Sequence, residues 1–243
     1  MGTSSVVSET GSVCIYCRQH SADTKGQEHV YPEALGKHDL KLPLGAVCDA
    51  CNAYFSDLDS ALIAHNHIWP VIQLLGLPGK QGKPRRKLGS MHRSPDSGII
   101  SLQANQRQIT KIQFDSKGVH VEVKDPPEFN DLKFRRALHR FAFNVLAYEK
   151  SPAHVLQECF DPVRKYIRSP RRGEAWPYAQ VIVKRTTKRS ELENRLLFSM
   201  MPDAPGMYVR LSIFVDDFYV DLLATGKLHE WARANLPDGT GLL

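Results

Sequence analysis

Between Asp131 and Lys150, Phe134, Leu138, Phe141, Val145 and Tyr148 recur at spacings of three and four, which gives one apolar face and predicts a helix. Its other face carries Lys133, Arg135, Arg136 and Arg140. A second helix is expected over about Val155–Ile167, after the start signal Ser151-Pro152. An earlier one should begin just after Val47 and run to about His65. Gly118–Val123 alternates apolar and polar, as a half-buried strand does, and Gly98–Leu102 and Ile109–Phe114 are shorter β-like runs. Tyr178–Val183 and Met207–Val215 also read as strands, the latter meeting Phe218–Leu223 across Asp216-Asp217 as a two-residue hairpin turn. Residues 76–97 are rich in Gly, Pro and basic side chains and read as a linker or exposed basic loop. No internal repeat is visible. The pattern therefore divides the chain into a loose lead (1–12), a small module (13–75), the basic linker (76–97) and a larger region (98–243), with an α+β fold class.

Composition narrows the class without deciding it. The 243 residues are 42% hydrophobic and 24% charged, as in a globular protein. No apolar run reaches the roughly 18 residues a membrane helix needs. Residues 1–11 lack a basic segment followed by an apolar core, and Val6 stands where a myristoylation pattern wants Ser or Thr, so the expected address is cytoplasmic. The net charge of +6 and a pI near 9.1 suit a polyanionic partner but equally an ordinary basic protein.

The cysteines are more informative. Cys14-Ile15-Tyr16-Cys17 and Cys48-Asp49-Ala50-Cys51 are both C-x-x-C. Two intervening residues let a turn aim both sulfurs at one point, and four thiolates make a tetrahedral shell suited to Zn2+. In a reducing compartment that is favoured over disulfides, and two separate redox pairs in so small a module would be unusual. A closed four-sulfur shell leaves no position for substrate, so such a zinc is structural. A module of this size also needs a staple, because its apolar core is small. The fifth cysteine, Cys159, reads as a buried apolar filler.

Between the pairs lies Glu28-His29-Val30-Tyr31-Pro32 with Leu35-Gly36, and directly after the second pair stands Asn52. C-x-x-C, an acidic-His dipeptide with Pro three residues after the His, a Gly, and C-x-x-C followed at once by Asn together resemble the HNH endonuclease family, in its zinc-stapled branch, over residues 13–62. The resemblance implies a ββα-metal fold: two antiparallel strands and a helix around one divalent cation, Mg2+ or Mn2+. It also implies that His29 is the general base and that Glu28 and Asn52 are cation ligands. The middle motif position, usually an Asn that braces the loop, falls near Gly45. Asp59, two helical turns after Asn52, is a weaker candidate for a ligand or an outer partner. The chemistry agrees with the residue types. Phosphodiester hydrolysis needs a base that works near neutral pH and a cation to stabilise the added negative charge, and Mg2+ prefers oxygen ligands.

The plain alternatives are a surface His beside a Glu and an Asn that caps its helix. His20, His38, His65 and His67 compete in the same module, but only His29 has the acidic-His-x-x-Pro setting. Lys80, Lys83, Arg85, Arg86 and Lys87 form a basic run for DNA phosphates, or a solvated linker, and Arg93 lies close by. Arg164, Lys165, Arg168, Arg171 and Arg172 end a helix, where the dipole favours cations in any case. The sequence thus reads as a metal-dependent endonuclease acting on DNA, most simply double-stranded, with RNA left open. The setting would be restriction, phage defence or a mobile element. The rival is a zinc module that binds nucleic acid or protein without cutting. The C-terminal region would recognise substrate, bind a partner or form a homodimer.

Overall fold

A computed structural model describes residues 13–36, 39–75, 77, 89–93, 100–104, 109–115, 118–123, 129–182, 196–201, 203–237 and 241–242. The fold is α+β. After the first cysteine pair the chain makes a short antiparallel crossing, in which Val30 donates to the Leu40 carbonyl and Leu42 to that of Glu28, both at 2.9 Å. Helix α1 (Asp49–Ile63) and α2 (Ile68–Leu75) follow. Two antiparallel hairpins come next, β1 (Gly89–Arg93) with β2 (Ile100–Ala104) and β3 (Ile109–Asp115) with β4 (Gly118–Val123). Residues 89–93, expected in the linker, are therefore strand, and the first expected β-run is strand over Ile100–Ala104, its residues 98 and 99 lying outside the described ones.

Helix α3 (Asp131–Glu149) starts where the Asn130 side chain accepts the Lys133 amide, an N-cap that satisfies one of the free donors of the first turn. Phe134, Leu138, Phe141 and Val145 are buried as their spacing requires, whereas Tyr148 is 41% exposed. The single helix expected over 155–167 is broken into α4 (Pro152–Val155), a 3-10 turn (Glu158–Phe160) and α5 (Asp161–Arg168). Pro162 has no N–H to continue a helix, and the Arg164 guanidinium turns back onto the Val155 and Gln157 carbonyls and the Asp161 carboxylate. The 3-10 turn points Phe160 inward and leaves Cys159 exposed, so Cys159 is not a core filler.

The C-terminal sheet is β5 (Tyr178–Ile182), β6 (Leu196–Met201), β7 (Tyr208–Ile213), β8 (Asp216–Asp221) and β9 (Gly241–Leu242), in the order β6-β7-β8-β5-β9 with antiparallel pairing. Helix α6 (Leu228–Asn235) closes it. The β7–β8 turn is Phe214-Val215, with Phe214 left-handed at φ 54°, so Asp216 and Asp217 are not the turn. Both are buried strand residues, and Asp216 accepts from Gln180 at 2.9 Å and contacts His67 Nδ1 at 3.1 Å.

One hydrophobic core joins the cysteine-bearing segment to the rest. Ile15, Val30, Leu42 and Phe55 share it with Phe134, Leu138, Phe143 and Leu211. Two histidines sit in its walls. His65 stacks on Phe134 at 4.4 Å, and burial pulls it down to about 4. His139 is likewise held at about 4 by burial. Both stay neutral in the fold below pH 6.5, where the unfolded chain takes up protons, so stability must fall as pH drops from 6.5 towards 4. Each should contribute on the order of 1 kcal/mol of loss at pH 5.5, visible as a lower urea midpoint. A midpoint that stays flat over that range would show that neither histidine is held neutral.

Candidate functional site

The first cysteine pair forms a knuckle. Cys14 N–H donates to the Gln19 carbonyl at 3.0 Å, Arg18 N–H donates to Cys14 at 2.9 Å, and Arg18 takes a left-handed φ of 58°. Ile15 N–H reaches the Ala46 carbonyl at 2.9 Å, which docks this knuckle beside the second pair. Cys48 caps α1 and accepts the Cys51 amide at 3.4 Å, so the helix start itself aims the second two sulfurs. The four sulfurs lie within 4.8 Å of one another. The hydrogen bond from Cys51 draws the Cys14 thiol down to about 4, against the opposing effect of burial. These cysteines are placed to hold one metal ion, and four sulfurs are the donor set of a closed zinc shell.

The loop before the short strands is pinned over the start of α1. The Asp49 carboxylate accepts the amides of Lys25 and Gly26 at 3.1 and 2.9 Å, and those bonds lower its pKa. A Cβ on Gly26 would stand 3.2 Å from Asp49 and 3.5 Å from the Asn52 amide nitrogen, so glycine lets this loop come close. The chain thus runs past Asn52 directly into Glu28 and His29.

His29 pairs across the crossing with Lys41, and its ring is 23% exposed. Its Nδ1 lies 3.8 Å from the carboxylate of Glu33, in the 3-10 turn after Pro32. Glu28 is buried, and Oε1 accepts from both Arg140 and the Asn144 amide, the latter at 3.0 Å. Oε2 accepts no hydrogen bond from a described residue, and the half-buried Asn52 side chain makes none either. One carboxylate oxygen of Glu28 and the amide of Asn52 therefore carry no hydrogen bond from a described residue. Asp59 pairs with Arg140, the same guanidinium that holds Glu28.

Arg140 departs from its expected place on the polar face of α3: it is 4% exposed. Burial alone would lower its pKa, but Asp59 and Glu28 outweigh that and hold it above the usual value. It also stacks over Phe55, 4.9 Å from the ring centre. Arg140 and Asn144 were not singled out in the sequence. The signal was there: Arg136, Arg140 and Asn144 are polar residues four apart along a helix otherwise rich in core positions.

Among the rival histidines, His65 is buried in an aromatic stack and His67 is engaged by Asp216 and Gln180. His20 is exposed, and His38 lies outside the described residues. Lys80, Lys83, Arg85, Arg86 and Lys87 also lie outside them. Of the second basic set, Arg164 is structural and buried, while Lys165, Arg171 and Arg172 are exposed at the end of α5.

A four-cysteine cluster, a short antiparallel crossing and a helix that begins at the second cysteine pair make up this module. Residues 14–67 match the family model described as HNH endonuclease. The match covers less than a quarter of the chain. No curated protein and no solved structure matches the sequence. Among the described residues, no helix is long and apolar enough to cross a membrane.

Proposed function

We propose that the chain is an HNH-type endonuclease that hydrolyses phosphodiester bonds in DNA, with His29 as the general base. The observation that supports this reading is the Glu28-His29 dipeptide, which follows a loop pinned at Gly26 to the start of α1, inside the segment that matches the family. His29 is the partly exposed imidazole at that place, and Glu33 beside Nδ1 would hold the ring so that its other nitrogen faces a water molecule. Water would lose its proton to that nitrogen as its oxygen attacks phosphorus. Glu28, through Oε2, and Asn52 would hold Mg2+ or Mn2+. When bound, that cation supplies charge stabilisation for the pentacoordinate phosphate and the departing oxygen. The cysteine-bound metal, zinc in this reading, stays structural. Lys80 to Lys87 and the exposed cations after α5 would contact the DNA backbone, without reading sequence.

A second reading has one observation in its favour. Glu28 and Asp59 already face the Arg140 guanidinium, and a module whose acidic residues serve only that ion pair would bind nucleic acid or protein without cutting. The test is cleavage of supercoiled plasmid and of single-stranded RNA by the whole protein in Mg2+ or Mn2+, with and without EDTA. Nicking of plasmid that EDTA abolishes is the expected result. DNA binding with no cleavage in either metal would select the second reading.

A further inference from the structure

We infer that Asn144, set by Tyr16, is a positioning residue for the Glu28-His29 dipeptide, so that α3 completes the site from outside the segment matching the family. The inference rests on the nuclease reading and names a part of the same site. A single amide nitrogen, Nδ2 of Asn144, donates to Glu28 Oε1 at 3.0 Å and to the backbone carbonyl of His29 at 3.2 Å. Carboxylate and carbonyl oxygens only accept, so the nitrogen side of the amide must face them. The oxygen side then faces Tyr16, whose hydroxyl lies 2.6 Å from Oδ1 and must be the donor.

Asn144 is 2% exposed, so these three bonds form away from competing water. They do two things at once. They turn Glu28 so that Oε1 is used up and Oε2 is left for a ligand, and they fix the backbone from which the His29 ring projects. Position 45 cannot supply such a brace. Gly45 is buried with a left-handed φ of 81°, where a side chain would be strained, and its carbonyl accepts from Ser21 at 2.5 Å. The brace that the module lacks in its own loop is provided by an amide from a helix 115 residues after His29.

Three variants of the whole protein test this. Asn144→Asp keeps the shape but puts a second carboxylate where the donor stood, Asn144→Ala removes the group, and Tyr16→Phe removes only its orientation. The expected results are a kcat on plasmid about 10–100-fold lower for both Asn144 variants, with KM unchanged, and Mn2+ affinity lower by a similar factor. Tyr16→Phe should show a milder loss, with no further loss when combined with Asn144→Ala. The zinc bound at the four cysteines should stay at the wild-type value, and the carbonyl 13C resonance of His29 should move in the Asn144 variants. Wild-type kcat and Mn2+ affinity in folded Asn144→Ala would overturn the inference. So would additive losses in the double variant. If wild type itself fails to cut DNA, the proposed function fails instead, and an unmoved His29 carbonyl resonance in folded Asn144→Ala would then overturn the positioning role on its own.

Discussion

Arg140→Leu is expected to destabilise the fold by about 3–5 kcal/mol, the cost of removing one partner from a buried ionic cluster. The guanidinium touches two carboxylates, and Glu28 is almost fully enclosed beside it. Without Arg140, Glu28 keeps only the Asn144 amide, and Asp59 loses its one ion-pair partner among the described residues. The cation–π contact with Phe55 goes as well. Urea unfolding should show the loss as a lower midpoint with an unchanged slope. The double variant Arg140→Leu, Glu28→Gln should recover part of it, because the buried charge disappears together with its partner. A single variant as stable as wild type would mean that Arg140 is not the counter-ion that joins α3 to the module.

Loss of the cysteine-bound metal should have a larger effect still. Binding at structural zinc sites is worth about 10–16 kcal/mol in small peptides near neutral pH, and where no site exists in the unfolded chain that energy is folding energy. Here the metal would close two segments that also meet through the Ile15–Ala46 backbone bond and the shared core. Cys51→Ser should therefore remove about one metal ion per chain and expose residues 13–52 to rapid amide exchange. Strand pairing between residues 28–30 and 40–42 would be lost, while β7 and β8 keep protection from their pairing in the five-stranded sheet. A protein with no bound metal and a fully protected N-terminal segment would contradict the role given to the cysteines.

Much of this architecture was legible in the residues. Two C-x-x-C pairs have one economical use in a small module, and the apolar rhythm of α3 gave its limits to within a residue. Strand β4 was legible too, because alternation is local. What failed to show depended on distant partners. Arg140 was placed on a solvated face because periodicity knows only the helix, whereas its burial comes from two acids in another segment. Asp216 and Asp217 looked like turn residues by type. The β7–β8 register and the demands of Gln180 and His67 put them in the strand instead. The break before α5 could have been suspected from Pro162, but the Arg164 contacts that hold it are tertiary. The site shows the same division. His29 and Asn52 stand out by motif, while Asn144 and Tyr16 emerge only once α3 lies against the first knuckle.

The most direct test of the nuclease reading is plasmid cleavage by wild type beside His29→Ala, in Mg2+ or Mn2+ and again in EDTA. The account predicts that wild type nicks supercoiled DNA only with metal. It predicts that His29→Ala, still folded and metal-loaded at its cysteines, cuts about 10²–10⁴-fold more slowly, as expected when a general base is removed. Cleavage by pure His29→Ala at the wild-type rate would contradict it.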